Sequence, residues 1–323
     1  MRRVGLPALA TCAAGAVVLA LLPFALSDYH QALAAEVGIY FIAILGLNVL
    51  VGYSGQISIG HGAFMAIGGY TTAILSRDHH MNLVLTMFVA FAVCFVCGLL
   101  LGLPALRLSG VYLALATFAF AVSVPQIVLK FDNFLGGSNG VQSAKTVSHT
   151  WLYGTSWTTA AILFVLAWLI LRGRMGRAFR AIRDSEVAAT SSGVELPIYK
   201  TLAFGISAAF AGVAGSLFVM GTNGFAQPNE FDIVLSLQLL VGAAVAGLGS
   251  LWGIPVGAAF IGLLPTISKD VPVVGSAHGQ DVVFGLLVVL VMLLLPQGFA
   301  GFLRALTRLR MRPDPSRPGS KTA

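Results

Sequence analysis

Apolar residues run along this chain in long blocks rather than alternating with polar ones. The longest is Val37 to Ser76, forty residues without Asp, Glu, Lys or Arg. One helix crosses the hydrocarbon core in about 20 residues, so this block is roughly twice what a single span needs. It must cross, break and continue. The break falls at Gly52-Tyr53-Ser54-Gly55-Gln56-Ile57-Ser58-Ile59-Gly60-His61-Gly62, where four glycines alternate with small polar residues. Each Gly costs about 1 kcal/mol against Ala inside a helix, so the stretch predicts an unwound or kinked segment. Main chain freed at membrane depth is tolerated only where protein or a water-filled cavity satisfies it. A second uncharged run, Ile233 to Ser268, repeats the pattern over 36 residues and is interrupted at Gly247 to Pro255. Two Gly-interrupted double runs, one early and one late, are what an internally repeated transporter presents.

The remaining blocks predict spans at 5–26, 82–106, 109–129, 158–171, 201–220 and 282–296, giving about 8 to 10 crossings or half-crossings. The fold class is an all-α polytopic membrane protein. Pro104 and Pro125 should end or kink their helices, and Gly98-x-x-x-Gly102 suits close helix packing. The segment 130–157 is the longest outer loop, with turns at Gly136 to Gly140 and with Trp151, Tyr153 and Trp157 as interfacial anchors. Arg77-Asp78-His79-His80 reads as a solvated outer turn.

Composition agrees: 57% hydrophobic and 10% charged residues, with a mean hydropathy of +0.90, lie far from soluble proteins. The +7 net charge is topological. Of 19 Lys and Arg, 15 sit at Arg2 and Arg3, at Arg107, in Arg172 to Lys200 and in Arg304 to Lys321. The positive-inside rule makes those segments, and both termini, cytoplasmic. Nucleic-acid binding is not needed to explain the charge. One membrane domain, 1–303, precedes a basic, Pro-containing tail, 304–323, read as disordered. Cys12, Cys94 and Cys97 all lie in apolar runs and read as buried small residues.

Candidate chemistry is sparse. The early break offers Asn48, Ser54, Gln56, Ser58 and His61 as a substrate pathway. The plainer reading of the same residues is helix packing and amide bridging. The inner loop 172–200 contains a short helix that Asp184 or Ser185 can cap, running through Ala189 to Ser191, stopped by Gly193, with Pro197 beyond. It reads equally as an interfacial anchor or as a docking element for a soluble partner. No G-x-x-x-x-G-K-[ST] loop occurs and no Asp, Glu, Lys or Arg interrupts the spans, so energy would come from a partner. No catalytic set, metal set or cofactor site is evident, so an enzyme is not expected. A stand-alone channel is the rival class.

Several stretches together resemble the LivM-type permease subunits of bacterial branched-chain amino-acid ABC importers. Gly46-Leu47-Asn48 through Gly69-Tyr70 resembles that family's GLNL-x-x-GY-x-GQ-x-S-x-GH-x-AF-x-x-GAY, with Gly62 where Ala is usual. Gly136-Gly137-Ser138-Asn139-Gly140 resembles TGG-x-x-G. Gly176 to Arg183, then Glu186 to Ala189, Gly193 and Tyr199-Lys200, resembles the coupling loop, and Pro296 to Gly301 resembles the closing P-x-G-L-x-G. The late break departs from the usual G-P-x-x-G-A by a one-residue shift of its proline. The resemblance implies an ABC importer permease fold in the bacterial inner membrane. It also implies a second homologous permease subunit, two cytoplasmic ATPase subunits that use the ATP, and a periplasmic solute-binding protein. Arg180, Arg183, Asp184, Glu186, Ala188, Ala189 and Gly193 would then couple to the ATPase. Relatives similar in these motifs carry urea, amides or aromatic and aliphatic acids, so these are alternative solutes.

Overall fold

The computed structural model describes residues 27–269, except 109, 144, 146 and 223, together with 285, 293, 298, 299 and 301. The expected first span, Cys12, the expected last span 282–296 and the tail therefore lie wholly or largely outside the described residues.

The early block folds as expected. Helix α1 (Asp28–Leu47) passes without interruption into one π-helical stretch, Asn48–Tyr53. The chain then leaves helical geometry until α2 (His61–His79) begins. Helices α3 (Leu83–Ala105) and α4 (Val111–Lys130) follow, with Pro104 and Pro125 inside them. The outer segment holds a four-residue turn of helix, α5 (Asp132–Leu135), a 3-10 turn at Gly137–Asn139 and the strand β1 (Val141–Gln142). Helix α6 (His149–Arg172) starts earlier than the sequence suggests, because Ser148 caps it by accepting from the Trp151 amide at 3.3 Å. Residues 149–157 therefore belong to a helix and not to the outer loop. Two of the expected interfacial anchors turn inward: Tyr153 is buried, and Trp157 Nε1 donates to the Ala34 carbonyl of α1 at 3.0 Å.

The inner loop is helical almost throughout, as α7 (Arg174–Asp184) and α8 (Glu186–Ser191). Helix α9 (Leu196–Gly221) leads outward to β2 (Phe225–Ala226), which pairs antiparallel with β1, and to a 3-10 turn at Pro228–Phe231. Helix α10 (Ile233–Ala246) and α11 (Ile254–Lys269) flank the late break. Two two-residue strands are the only sheet among the described residues, so the chain is all-α as expected.

Among the described residues, six stretches are long and apolar enough to cross a membrane: 28–53, 83–105, 111–130, 149–172, 196–221 and 228–246. Their burial sorts them into layers. The most apolar windows of α1 and α9 are 83% and 89% buried, those of α3, α4 and α6 only 33%, 22% and 28%. Thus α1 and α9 form the centre, and the others present Phe88, Leu100, Tyr112, Leu115 and Ile162 outward. Lipid is as apolar as Leu, so the centre is held by close backbone approach rather than by hydrophobic expulsion. A Cβ on Gly68 would fall on the Gly212 carbonyl, and one on Gly98 would meet the Phe204 carbonyl at 2.8 Å. The Gly98-x-x-x-Gly102 motif is thus the α3–α9 contact. Cys94 sits in the same seam, with Sγ 3.4 Å from the Phe64 carbonyl. At the outer end of α2, Arg77 chelates Asp78 at 2.6 and 3.1 Å, and this hydrogen bonding holds the Asp78 carboxyl below the usual carboxylate range.

Gly68→Ala should destabilise the chain by about 1–3 kcal/mol, since neither backbone can yield. Gly154→Ala, whose Cβ meets nothing within 4 Å, should change stability by less than about 0.5 kcal/mol. Thermal unfolding in detergent compares the two; equal midpoints would refute the packing argument.

Candidate functional site

An unwound segment inside a bilayer exposes amides and carbonyls that need partners. The early break finds them on three other helices, and a fourth holds one of its side chains. Ile59 N donates to Thr117 Oγ1 of α4 at 3.0 Å, and Gly62 N donates to Ser236 Oγ of α10 at 2.9 Å. The Gly52 carbonyl, freed where the π-helix ends, accepts from Arg183 Nη1 of α7. Gln56 Nε2 reaches the Lys200 carbonyl of α9 at 3.4 Å and donates to Ser54 Oγ at 2.8 Å, while Ser54 Oγ itself donates to the Leu50 carbonyl at 2.8 Å. Ser58 Oγ accepts from Gly60 N at 3.3 Å.

Asn48 joins the early break to the late one. Its Nδ2 donates to the Ser250 carbonyl and its Oδ1 accepts from the Gly249 amide, both at 2.8 Å. The two interrupted runs, some 200 positions apart in sequence, thus meet at a single amide side chain. Arg183 reaches the same place. A Cβ on Gly249 would lie 2.6 Å from Arg183 Nη1, and a Cβ on Gly55, which sits at φ +73, would lie 3.2 Å from the Arg183 Cα. Gly298 of the closing motif lies against Ala244 and Gly247 at the late break.

His61 begins α2 and is buried. Ser207 Oγ donates to the Gly46 carbonyl at 2.7 Å, so it accepts from His61 Nε2 at 2.9 Å. That arrangement puts the imidazole proton on Nε2 and leaves Nδ1 without a hydrogen-bond partner among the described residues, as is Gln56 Oε1. All five polar candidates, Asn48, Ser54, Gln56, Ser58 and His61, are at most 5% exposed. They face into the chain and shape the break from behind. Its outward face consists of Gly55 and Ile57, with Ile59 half-buried.

The inner loop combines an exposed tip with a fixed base. Ser185 caps α8 by accepting from the Ala188 amide at 3.3 Å, as the sequence suggests, and Gly193 stops it at φ +81. Val187, Ala188, Thr190 and Ser191 are exposed, whereas Ala189 is buried. Sequence reasoning missed α7, whose Gly176, Ala178, Phe179 and Ile182 pack inward. It also missed the role of Lys200, read only as basic flank: this side chain is buried and paired with Glu186 at 2.6 Å. Arg180 Nη1 donates to the Leu171 carbonyl at the end of α6 at 3.2 Å. Asp184 is exposed. The partners Thr117, Ser207 and Ser236 were also missed; lone hydroxyls in otherwise apolar helices were the available signal.

Comparison with known proteins completes the description. The family model for the branched-chain amino acid transport system / permease component matches residues 30–293. The high-affinity branched-chain amino acid transport system permease proteins LivM of Salmonella typhimurium and of Escherichia coli are each 32% identical, over 89% of this chain and 74% of their own length. BraD of Pseudomonas aeruginosa, with the same description, is 26% identical over 81% of this chain and 91% of its own length. No solved structure matches.

Removing the amide at position 48 would leave the Gly249 N–H and Ser250 carbonyl unpaired. Asn48→Ala should therefore lower stability by about 2–4 kcal/mol, two unsatisfied groups at 1–3 each with partial relaxation. Ser123→Ala, which removes only a local, exposed bond from Oγ to the Ala119 carbonyl one turn back, should cost less than about 1 kcal/mol. Denaturation midpoints of the two purified variants test the ranking, and a reversed order would refute it.

Proposed function

This chain belongs to the family of branched-chain amino acid transport permease components, and from that membership we propose how it carries its solute and how it is driven. It is a permease subunit of a branched-chain amino-acid ABC importer, working within a complex of several subunits. In our reading it sits in the inner membrane with both termini cytoplasmic. It pairs there with a second homologous permease, two ATPase subunits that bind and hydrolyse ATP, and a periplasmic solute-binding protein. Leucine, isoleucine and valine are the solutes.

One observation supports this coupling scheme above the others: the exposed helix α8 leads through α7 to Arg183, whose guanidinium holds the Gly52 carbonyl at the early break beside Gly249 of the late one. The ATPase docks on α8, with Val187 and Ala188 offered to it. Closure of the ATPase dimer displaces α8, and the Glu186–Lys200 ion pair carries the movement to the base of the central helix α9. Arg183 carries it to both breaks, where Asn48 keeps the early and late segments moving together. Arg180 and Asp184 orient the ends of α7, Ala189 seats α8, and Gly193 lets the chain turn back. The pathway runs along the outward face of the early break. Ile57 offers an apolar contact suited to a branched aliphatic side chain, and Asn48, Ser54, Gln56, Ser58 and His61 fix that face from behind. Nothing in this scheme needs tight binding by the permease, since differential affinity between states is what a transport cycle uses.

Uptake of radiolabelled leucine, competed by unlabelled amino acids, urea and amides, in cells with and without this subunit tests the solute; uptake independent of the subunit would overturn the assignment. For coupling, Glu186→Lys should reduce uptake at least about tenfold, because the buried Lys200 would lose its carboxylate partner and face a second cation. The exchange Glu186→Lys/Lys200→Glu should restore a substantial part of it. Uptake unchanged in the single variant, or equally lost in the exchange, would sink the ion pair's role.

A further inference from the structure

At the inner end of α6 a cavity of about 220 Å³ opens between Trp168, Arg172, Arg180, Gly249, Ser250 and Trp252. The Arg172 guanidinium lies 3.8 Å above the Trp168 ring, and Arg180 uses one nitrogen on the Leu171 carbonyl. A guanidinium has five donors, so both keep several free. Neither makes an ion pair among the described residues, where the two pairs are Arg77–Asp78 and Lys200–Glu186. The described lining contains no carboxylate. Two adjacent positive charges thus face one small cavity uncompensated.

What lies above the cavity identifies the occupant. Ile162, Val165 and Leu169 are 67%, 54% and 56% exposed. Their spacing of three and four continues to Arg172, so the four share one face of α6. From Ile162 to Arg172 that face extends roughly 15 Å at 1.5 Å per residue, the depth of one leaflet of a core about 30 Å thick. Trp252, 66% exposed and edge-on to Phe164, flanks the same stripe. We infer that the cleft between α6, α7 and the late break binds an anionic phospholipid of the inner leaflet, its phosphate between Arg172 and Arg180 and one acyl chain along Ile162, Val165 and Leu169. A soluble phosphate would use the two guanidiniums but not the stripe. The inference rests on the orientation proposed above, with 172–200 on the cytoplasmic side, and stands apart from the solute and ATPase proposals.

The test uses the full chain in nanodiscs with brominated phosphatidylglycerol or brominated phosphatidylcholine at equal mole fraction, reading tryptophan fluorescence. Trp151 and Trp157, at the opposite end of α6, supply the background, Trp168 inside the cleft contributes to the local signal, and Trp252→Phe gives the share that comes from Trp252. Brominated phosphatidylglycerol should quench this local signal more strongly than brominated phosphatidylcholine. Arg172→Gln/Arg180→Gln should reduce this preference roughly tenfold or more, at about fivefold per guanidinium, while Arg172→Lys/Arg180→Lys retains most of it. In the unaltered chain, unbrominated phosphatidylglycerol should relieve the quenching and unbrominated phosphatidylcholine should not, which tests the site without any variant. Equal quenching by both lipids would mean ordinary hydrocarbon contact. A preference surviving the double Gln variant, or one erased by inorganic phosphate, would equally overturn a lipid site.

Discussion

Where water does not reach, each main-chain group released by unwinding a helix must find a partner, and this obligation organises the whole chain. The segment from Gly52 to Gly62 meets it by drawing on α4, α7 and α10, while α9 accepts from its Gln56 side chain. The breaks are therefore the points at which the surrounding helices are held in register. A leaving partner would strand a buried donor or acceptor, so the helices around the break are constrained to move as a set. Asn48 extends that constraint to the late break. For a device that must switch between two arrangements, a shared set of bonds favours discrete states over gradual deformation.

The layering follows from a different force. Apolar side chains gain nothing by leaving lipid for protein, so the seam of α2, α3 and α9 is marked by the small size of its residues rather than by their hydrophobicity. Helices α2, α3 and α9 meet through Gly68, Gly98, Gly212 and Gly215. The outward helices α3, α4 and α6 show larger apolar residues instead. The inner loop is built on soluble-protein rules, with a capped helix, a glycine stop and an ion pair.

What the sequence made legible and what it hid divide along the same physical line. The charge-free blocks and the glycine clusters state local facts, so the two breaks, the capped α8 and the Gly98–Gly102 contact could be read directly. Partnerships across distance could not. No periodicity announces that Asn48 reaches Ser250, that Lys200 is buried against Glu186, or that one nitrogen of the exposed Arg183 reaches back to the Gly52 carbonyl. Each is a polar residue whose meaning depends on what faces it. The boundary of the outer loop failed for a related reason: Trp151, Tyr153 and Trp157 suit an interface, but Ser148 supplies an N-cap and α1 supplies a partner surface, which make them helical and turn the last two inward. The polar residues of the early break have side chains that point into the chain and leave Gly55 and Ile57 outward, an orientation that sequence spacing does not carry.

The amide of Gly62 also has an evolutionary consequence. Its bond to Ser236 Oγ is direct, and a methyl group at position 62 would lie 2.6 Å from that oxygen. The family pattern that the early block resembles has Ala at this place. Chains with that Ala must accommodate the extra carbon by rotating, shortening or withdrawing the residue facing it on α10. The two positions should therefore drift through the family as a linked pair, with the volume gained at one surrendered at the other.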